Sequence, residues 1–168
     1  MNIKLFQLDK SLKKFLTAFI IVLSIGVIMG LTFLNQTTKY SPNQAIERFN
    51  GTQINPNDEM LDIPDSYPKP ISEMLITTHN HIIGFSLIIF AIGFIFYFNS
   101  ILSGGWKLFL MIEPLVSTIL TFGSIWGMRY FSVDFVYLAA ISSILLYLCL
   151  FSMICIILYE LNFKKINL

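Results

Sequence analysis

Both histidines of the chain, His79 and His81, fall in one short stretch, "EMLITTHNHIIGF", residues 73–85, at the mouth of a long apolar run. Imidazole titrates near neutral pH, ligates haem iron and binds copper or zinc, so this stretch is the first place to look for chemistry. A helix beginning near Ser72 as its cap places Glu73, Thr77, Asn80, His81 and Gly84 on one face at ~100° per residue. His79 then lies ~200° round from His81, and the two imidazoles can share a metal ion only where the backbone is extended.

Three kinds of site follow from these residue types. One is an axial ligand to haem b: His81 is the better candidate, with Gly84 leaving room for a macrocycle and Phe85 able to pack on it. With no third histidine in the chain, the second axial ligand must be Met128, Met74 or a group from another chain. Another is a copper or zinc site at the outer surface, built from His79, His81, Glu73 and Met74. The last is a proton or quinol site, with a quinone as partner. The competing reading needs no cofactor. Both imidazoles then sit at the headgroup boundary, where Thr77, Thr78 and Asn80 already mark the helix as wet.

A second chemical group stands alone inside an apolar run. "LFLMIEPLVST" puts Glu113 about seven residues, ~10 Å, from the inner end of its span. A carboxyl group there costs a few kcal/mol by insertion scales, roughly 3 for an acid at a helix centre, so it is a candidate proton or ion station. Pro114 follows it and is expected to kink the helix by freeing a carbonyl one turn earlier. The structural alternative is a carboxylic acid bonded to that carbonyl or to Ser152. His81, ~8 Å in from the outer boundary, and Glu113 are ~12 Å or more apart along the normal, so they do not share one small ligand. Met128 and Arg129 are nearer His81 in depth. Arg129 can pair with Glu73 or Asp134, bind a lipid or haem carboxylate, or simply anchor the span.

The elements that hold these residues are set by composition. The 168 residues are 55% hydrophobic and 12% charged, about half the charged fraction of a soluble domain. So few charges do not coat a water-facing globule. The net charge of +1 and the lack of a basic stripe argue against nucleic acid. Apolar runs at 15–34, 75–98, 106–128 and 133–159 each reach the ~20 residues a helix needs to cross hydrocarbon. The first is too long for the ~7–15-residue core of a signal peptide and has no cleavage site after it, so it reads as an uncleaved span. Cys149 and Cys155 both lie in the fourth run, on opposite sides of a helix, and read as packing.

Lysines 4, 10, 13, 14, 107, 164 and 165 flank one side of the membrane more densely than Lys39, Arg48, Lys69 and Arg129 flank the other. Both termini are therefore expected in the cytoplasm of a plasma (inner) membrane, with the loops at 35–74 and 129–132 outside. Within the long loop, "SPNQAIERFNG" predicts a short helix: Ser41 caps, Pro42 takes the first turn, Gly51 ends it. "NPNDEMLDIPDSYPKPI" reads as irregular. Asn35 and Asn50 begin glycosylation-type triplets, which occur often by chance. Gly26 and Gly30, and again Gly123 and Gly127, have the spacing that lets helices approach closely, predicting tight contacts for the first and third spans within the chain or with a partner.

The chain carries no Walker loop, dinucleotide fingerprint, Cys-x-x-Cys or nucleophile elbow, and no inverted repeat of the kind transporters show. The expectation is an all-α, four-span up-down bundle serving as a subunit of a larger membrane complex, in contact with lipids and other membrane subunits. Its best specific role is redox-associated through His81. The alternatives are a cofactor-free scaffold subunit and a proton-conducting subunit centred on Glu113.

Overall fold

The computed structural model describes residues 3–52 and 66–164. After a single 3-10 turn at Leu5–Gln7 come five helices: α1 (Lys10–Thr38), α2 (Pro42–Asn50), α3 (Ile71–Tyr97), α4 (Gly104–Tyr130) and α5 (Phe135–Asn162). All but α2 are long and apolar enough to cross a membrane. The spans occupy the expected runs but begin earlier or end later, for local reasons. The first starts five residues early because Asp9 caps it, its carboxylate accepting from Ser11 N at 2.9 Å and Leu12 N at 3.0 Å. That cap satisfies amide donors at a helix end where Lys10, Lys13 and Lys14 are unfavourably placed. The third helix starts at Ile71 with Pro70, not Ser72, at the cap position. Most of the Pro- and Asp-rich stretch, residues 55–65, lies outside the described residues, as does Lys165.

Helices α3, α4 and α5 form the compact part. Short turns make them antiparallel neighbours, α4 and α5 share the most extensive interface, and α3 packs on both. Their core joins Ile89, Ile92, Ile95 and Phe96 of α3 to Leu150, Met153, Ile154 and Ile157 of α5. Helix α1 contributes Ile20 and Val27 to it. Otherwise α1 stands at the margin: 11% of its most apolar stretch is buried, against 39% for α5.

Within the chain, only one of the four paired glycines makes the close contact their spacing predicts. Helix α1 leans on α5, and a Cβ at Gly26, Gly30 or Gly123 would meet nothing within 4 Å. Gly127 differs: the tight α4–α5 turn folds Phe135 over it, so that a Cβ there would lie 2.6 Å from the ring. Pro114 is accommodated within α4, which runs from Gly104 to Tyr130 without a break; Thr118 Oγ1 donates to the Pro114 carbonyl at 2.7 Å.

The end of the bundle that carries both termini, labelled inner after the expected orientation, is closed by polar groups that the sequence did not single out. Glu160 is fully buried and accepts from Ser100 N at 2.8 Å and Ser100 Oγ at 2.6 Å, tying the end of α5 to the α3–α4 turn. Asn99, also fully buried, accepts from Ile101 N and Leu102 N and donates to Phe96 O. Lys107 donates to Asn99 O, Lys164 to Ser100 Oγ, and Leu5 N to Phe98 O. Both chain ends and the α3–α4 turn therefore lie together, as an even number of spans requires.

At the opposite end, labelled outer in the same way, α2 lies across the spans, touching α1, α4 and α5. Ser41 occupies the cap position without a side-chain bond, Pro42 the first helical position and Gly51 the stop. Gly51 is required there: its φ is +81°, and a Cβ would meet Pro68 Cδ at 2.7 Å. Asn50 Nδ2 donates to Met128 O at 3.2 Å, so this side chain is engaged in packing.

Two substitutions separate packing from spacing. Gly127→Ala is expected to destabilise the detergent-solubilised protein by about 1–3 kcal/mol through the clash with Phe135. Gly123→Ala, four residues earlier in open space, is expected to be neutral or slightly stabilising, as alanine is the better helix former. Unfolding midpoints in mixed micelles check both.

Candidate functional site

The stretch that carries the histidines is regular helix throughout, so the condition for a shared His79–His81 ion is not met. Both histidines are exposed, His79 on one side of α3 and His81 on the side that leans toward α4. Met74 is buried two turns before His81, ~10 Å along the axis. Glu73 is engaged with Lys69 at 2.9 Å, on the rim of the outer loop. The four residues expected to form a copper or zinc site are thus separated by the helix. Among the described residues no cluster of three or more His, Cys, Asp or Glu can hold a metal ion.

His81 itself is well oriented. Its Nδ1 lies 2.7 Å from the Thr77 carbonyl one turn earlier. A carbonyl only accepts, so Nδ1 is the donor, and in the neutral ring Nε2 is the nitrogen with the lone pair. The ring sits against Phe122 of α4, with centroids 5.1 Å apart, and Phe85 lies 6.3 Å away. Gly84 leaves open space beside it, since nothing lies within 4 Å of where its Cβ would be. Nε2 has no hydrogen-bond partner among the described residues. This is the arrangement that fixes an imidazole as a ligand or acceptor.

The level of His81 is set by its neighbour Thr78, whose hydroxyl accepts from Trp126 Nε1 at 2.9 Å across the α3–α4 interface. Trp126 stacks on Tyr130, centroids 5.6 Å apart, in the manner of an interfacial aromatic belt. Met128 is buried, and its carbonyl takes the Asn50 bond. Arg129 lies over Tyr130, with its guanidinium carbon 5.3 Å from the ring centroid, and its Nε has no partner. The expected pairings of Arg129 with Glu73 or Asp134 do not form: Glu73 holds Lys69, and Asp134 accepts from Ser132 Oγ.

Glu113 is a separate station. Counted along α4 from the Trp126 level it lies ~20 Å inward, against ~4.5 Å for His81 from Thr78, so the two are ~15 Å apart. The carboxyl is buried in the α4–α5 interface. Ser117 Oγ, one turn on, donates to Oε1, the Cys149 thiol of α5 faces the same group, and Oε2 has no partner. The partner expected from sequence, Ser152, is turned away, donating to Leu148 O. Buried Ser117, Thr118, Ser124 and Ser142 line the same interface, and Thr121 bonds Ser142 at 2.8 Å. Spacing alone could have exposed this row, since Glu113, Ser117, Thr121 and Ser124 recur at three to four residues, the period of one helix face.

These features define an integral membrane domain of four spans with an outer loop packed on its end. The chain belongs to the Aq_1264_TM family, described as a transmembrane helical domain, which matches residues 39–167. That match takes in α2 to α5 and begins just past the end of α1, the span least embedded in the fold. No match was found among curated proteins or among solved structures.

The two buried acids should respond differently to removal. Glu160→Ala strands the Ser100 amide in the closed inner end and is expected to cost about 3 kcal/mol. Glu113→Leu removes a carboxyl group with one unpartnered oxygen and is expected to leave stability unchanged or raised. Parallel denaturation of the two variants in mixed micelles distinguishes them.

Proposed function

We propose that the protein is a structural subunit of a larger complex in a plasma (inner) membrane, with both termini cytoplasmic and the α2 loop outside. The observation that carries this reading is the state of α1. It is held by one neighbouring span, its Gly26–Gly30 face is open, and Phe15, Val22, Met29 and Phe33 are exposed along it. Helices associate in lipid by close van der Waals contact, and a glycine face on the rim suits approach by a second transmembrane helix. Gly26→Leu with Gly30→Leu is expected to release the partner subunits that co-purify in mild detergent, while the fold is retained because neither position touches the bundle. A wild-type chain that runs alone at the mass of one copy argues against this reading.

A second reading is favoured by His81. Its oriented ring, free Nε2 and open flank at Gly84 support a redox-associated role, with the imidazole as one axial ligand of a haem b at the interface with a partner. Met128 and Met74 are both buried, so this reading draws the second ligand from another chain. The intact complex is then expected to show a Soret band that His81→Ala removes and His79→Ala spares. An absent band in the intact complex ends the haem reading and leaves the structural one untouched.

A further inference from the structure

The outer face carries a cleft of about 490 Å3 between α2, the end of α1 and the first turn of α3. Its walls are fixed. Thr52 N donates to Ser66 O and Lys69 N to Phe49 O, each at 3.0 Å, so the segment entering α3 is laced to the end of α2. Ser66 Oγ adds a bond to Glu47 O at 3.2 Å. Thr37 and Tyr67 supply hydroxyls, and the charged lining is two cations, Arg48 and Lys69, with two acids, Glu47 and Glu73.

These charges are unequally engaged. Lys69 and Glu73 neutralise each other at 2.9 Å. Glu47 accepts one long bond, 3.3 Å from Thr52 Oγ1. Arg48 has no carboxylate partner among the described residues. Its guanidinium carbon lies 5.3 Å from the centroid of Phe33, a ring that is itself 58% exposed on the outer end of α1. An arginine held this way keeps its charge and presents a planar fork of donors, the geometry that binds phosphate in a bidentate manner. Burial lowers its pKa, which still leaves it a cation at physiological pH.

Among the described residues the pair left without an ionic partner in the cleft is one guanidinium and one carboxylate. A polyanion is not matched by these lining residues, which are neutral overall, whereas a zwitterion is. Phe33, under the Arg48 guanidinium, is exposed one turn before Thr37 of the lining, so the cleft sits at the end of an apolar span. We propose that it binds a phosphate ester bearing a nearby primary ammonium, with phosphate on Arg48 and ammonium on Glu47. That chemistry belongs equally to the headgroup of an ethanolamine phospholipid and to free O-phosphoethanolamine.

The test uses the unaltered full chain and the arginine reagent phenylglyoxal. The chain has two arginines, so Arg129 serves as the internal reference. Modification is followed by mass spectrometry in phosphatidylglycerol nanodiscs, in nanodiscs with added phosphatidylethanolamine, and in detergent with O-phosphoethanolamine. Arg48 is expected to be protected at least about fivefold by the ethanolamine ligand, with Arg129 unchanged. Protection in bilayers alone assigns the site to lipid; protection in detergent as well assigns it to the phosphate ester in general. Glu47→Gln is expected to erase the preference for phosphatidylethanolamine over phosphatidylglycerol while leaving the α2–α3 lacing intact. Equal Arg48 modification under all conditions overturns the proposal, as does an Arg48 that is unreactive before any ligand is added.

Discussion

Hydrocarbon offers no hydrogen bonds, so every polar side chain on a span must find its partner within the protein or bond its own helix. That constraint orders the structure. On α1, Ser24 and Thr32 return their protons to carbonyls four residues back, and the helix then needs no neighbour for polar reasons. On α4 the solution is different. Glu113 takes Ser117, Thr121 reaches across to Ser142, and the carboxyl group faces Cys149. The helix whose polar atoms depend on another helix shares the most extensive interface with it. Helix α5, with almost no charge along its length, closes the arrangement at the inner end by giving Glu160 to the Ser100 turn.

The periodicity of apolar residues made the four spans and the α2 helix legible, because lipid demands a minimum helix length whatever the packing. The ends were less legible. Asp9 and Pro70 set two of them, and a cap is a single-residue event that a hydropathy pattern averages away. The partner of the first span was not legible at all. Two Gly-x-x-x-Gly motifs suggested tight contacts for the first and third spans within the chain or with a partner; within the chain only Gly127 makes one, at a turn. Spacing shows where a close approach is permitted, and only the neighbours decide whether it happens. Pro114 does not end its helix, which continues through it.

Glu160 and Asn99 escaped notice for an instructive reason. Both lie at helix ends, where polar residues are ordinary, and nothing in their spacing marks them as fully buried. Their role comes from the return of α5 to the α3–α4 turn, a contact sixty residues apart in sequence. His81 was legible as a residue of interest but not in its orientation. That depended on the backbone being helical, which aligned Nδ1 with the Thr77 carbonyl and separated His79, Glu73 and Met74 from any common ion.

If satisfaction is the rule, the exceptions carry information. Among the described residues the buried ones are Glu113 Oε2 in the α4–α5 interface and Arg129 Nε and Asn50 Oδ1 at the outer end. Two of the three lie at the outer end, where α2 meets the end of α4, while the inner end buries Glu160 and Asn99 with their bonds made and draws in two lysines. A protein that pairs its buried polar atoms at one end and leaves some open at the other is asymmetric in what it can recognise. The inner end is built to hold the spans together. The outer end, where Arg48 and His81 also sit, is where this fold retains unspent hydrogen-bonding capacity, and therefore where a ligand or partner gains most by binding.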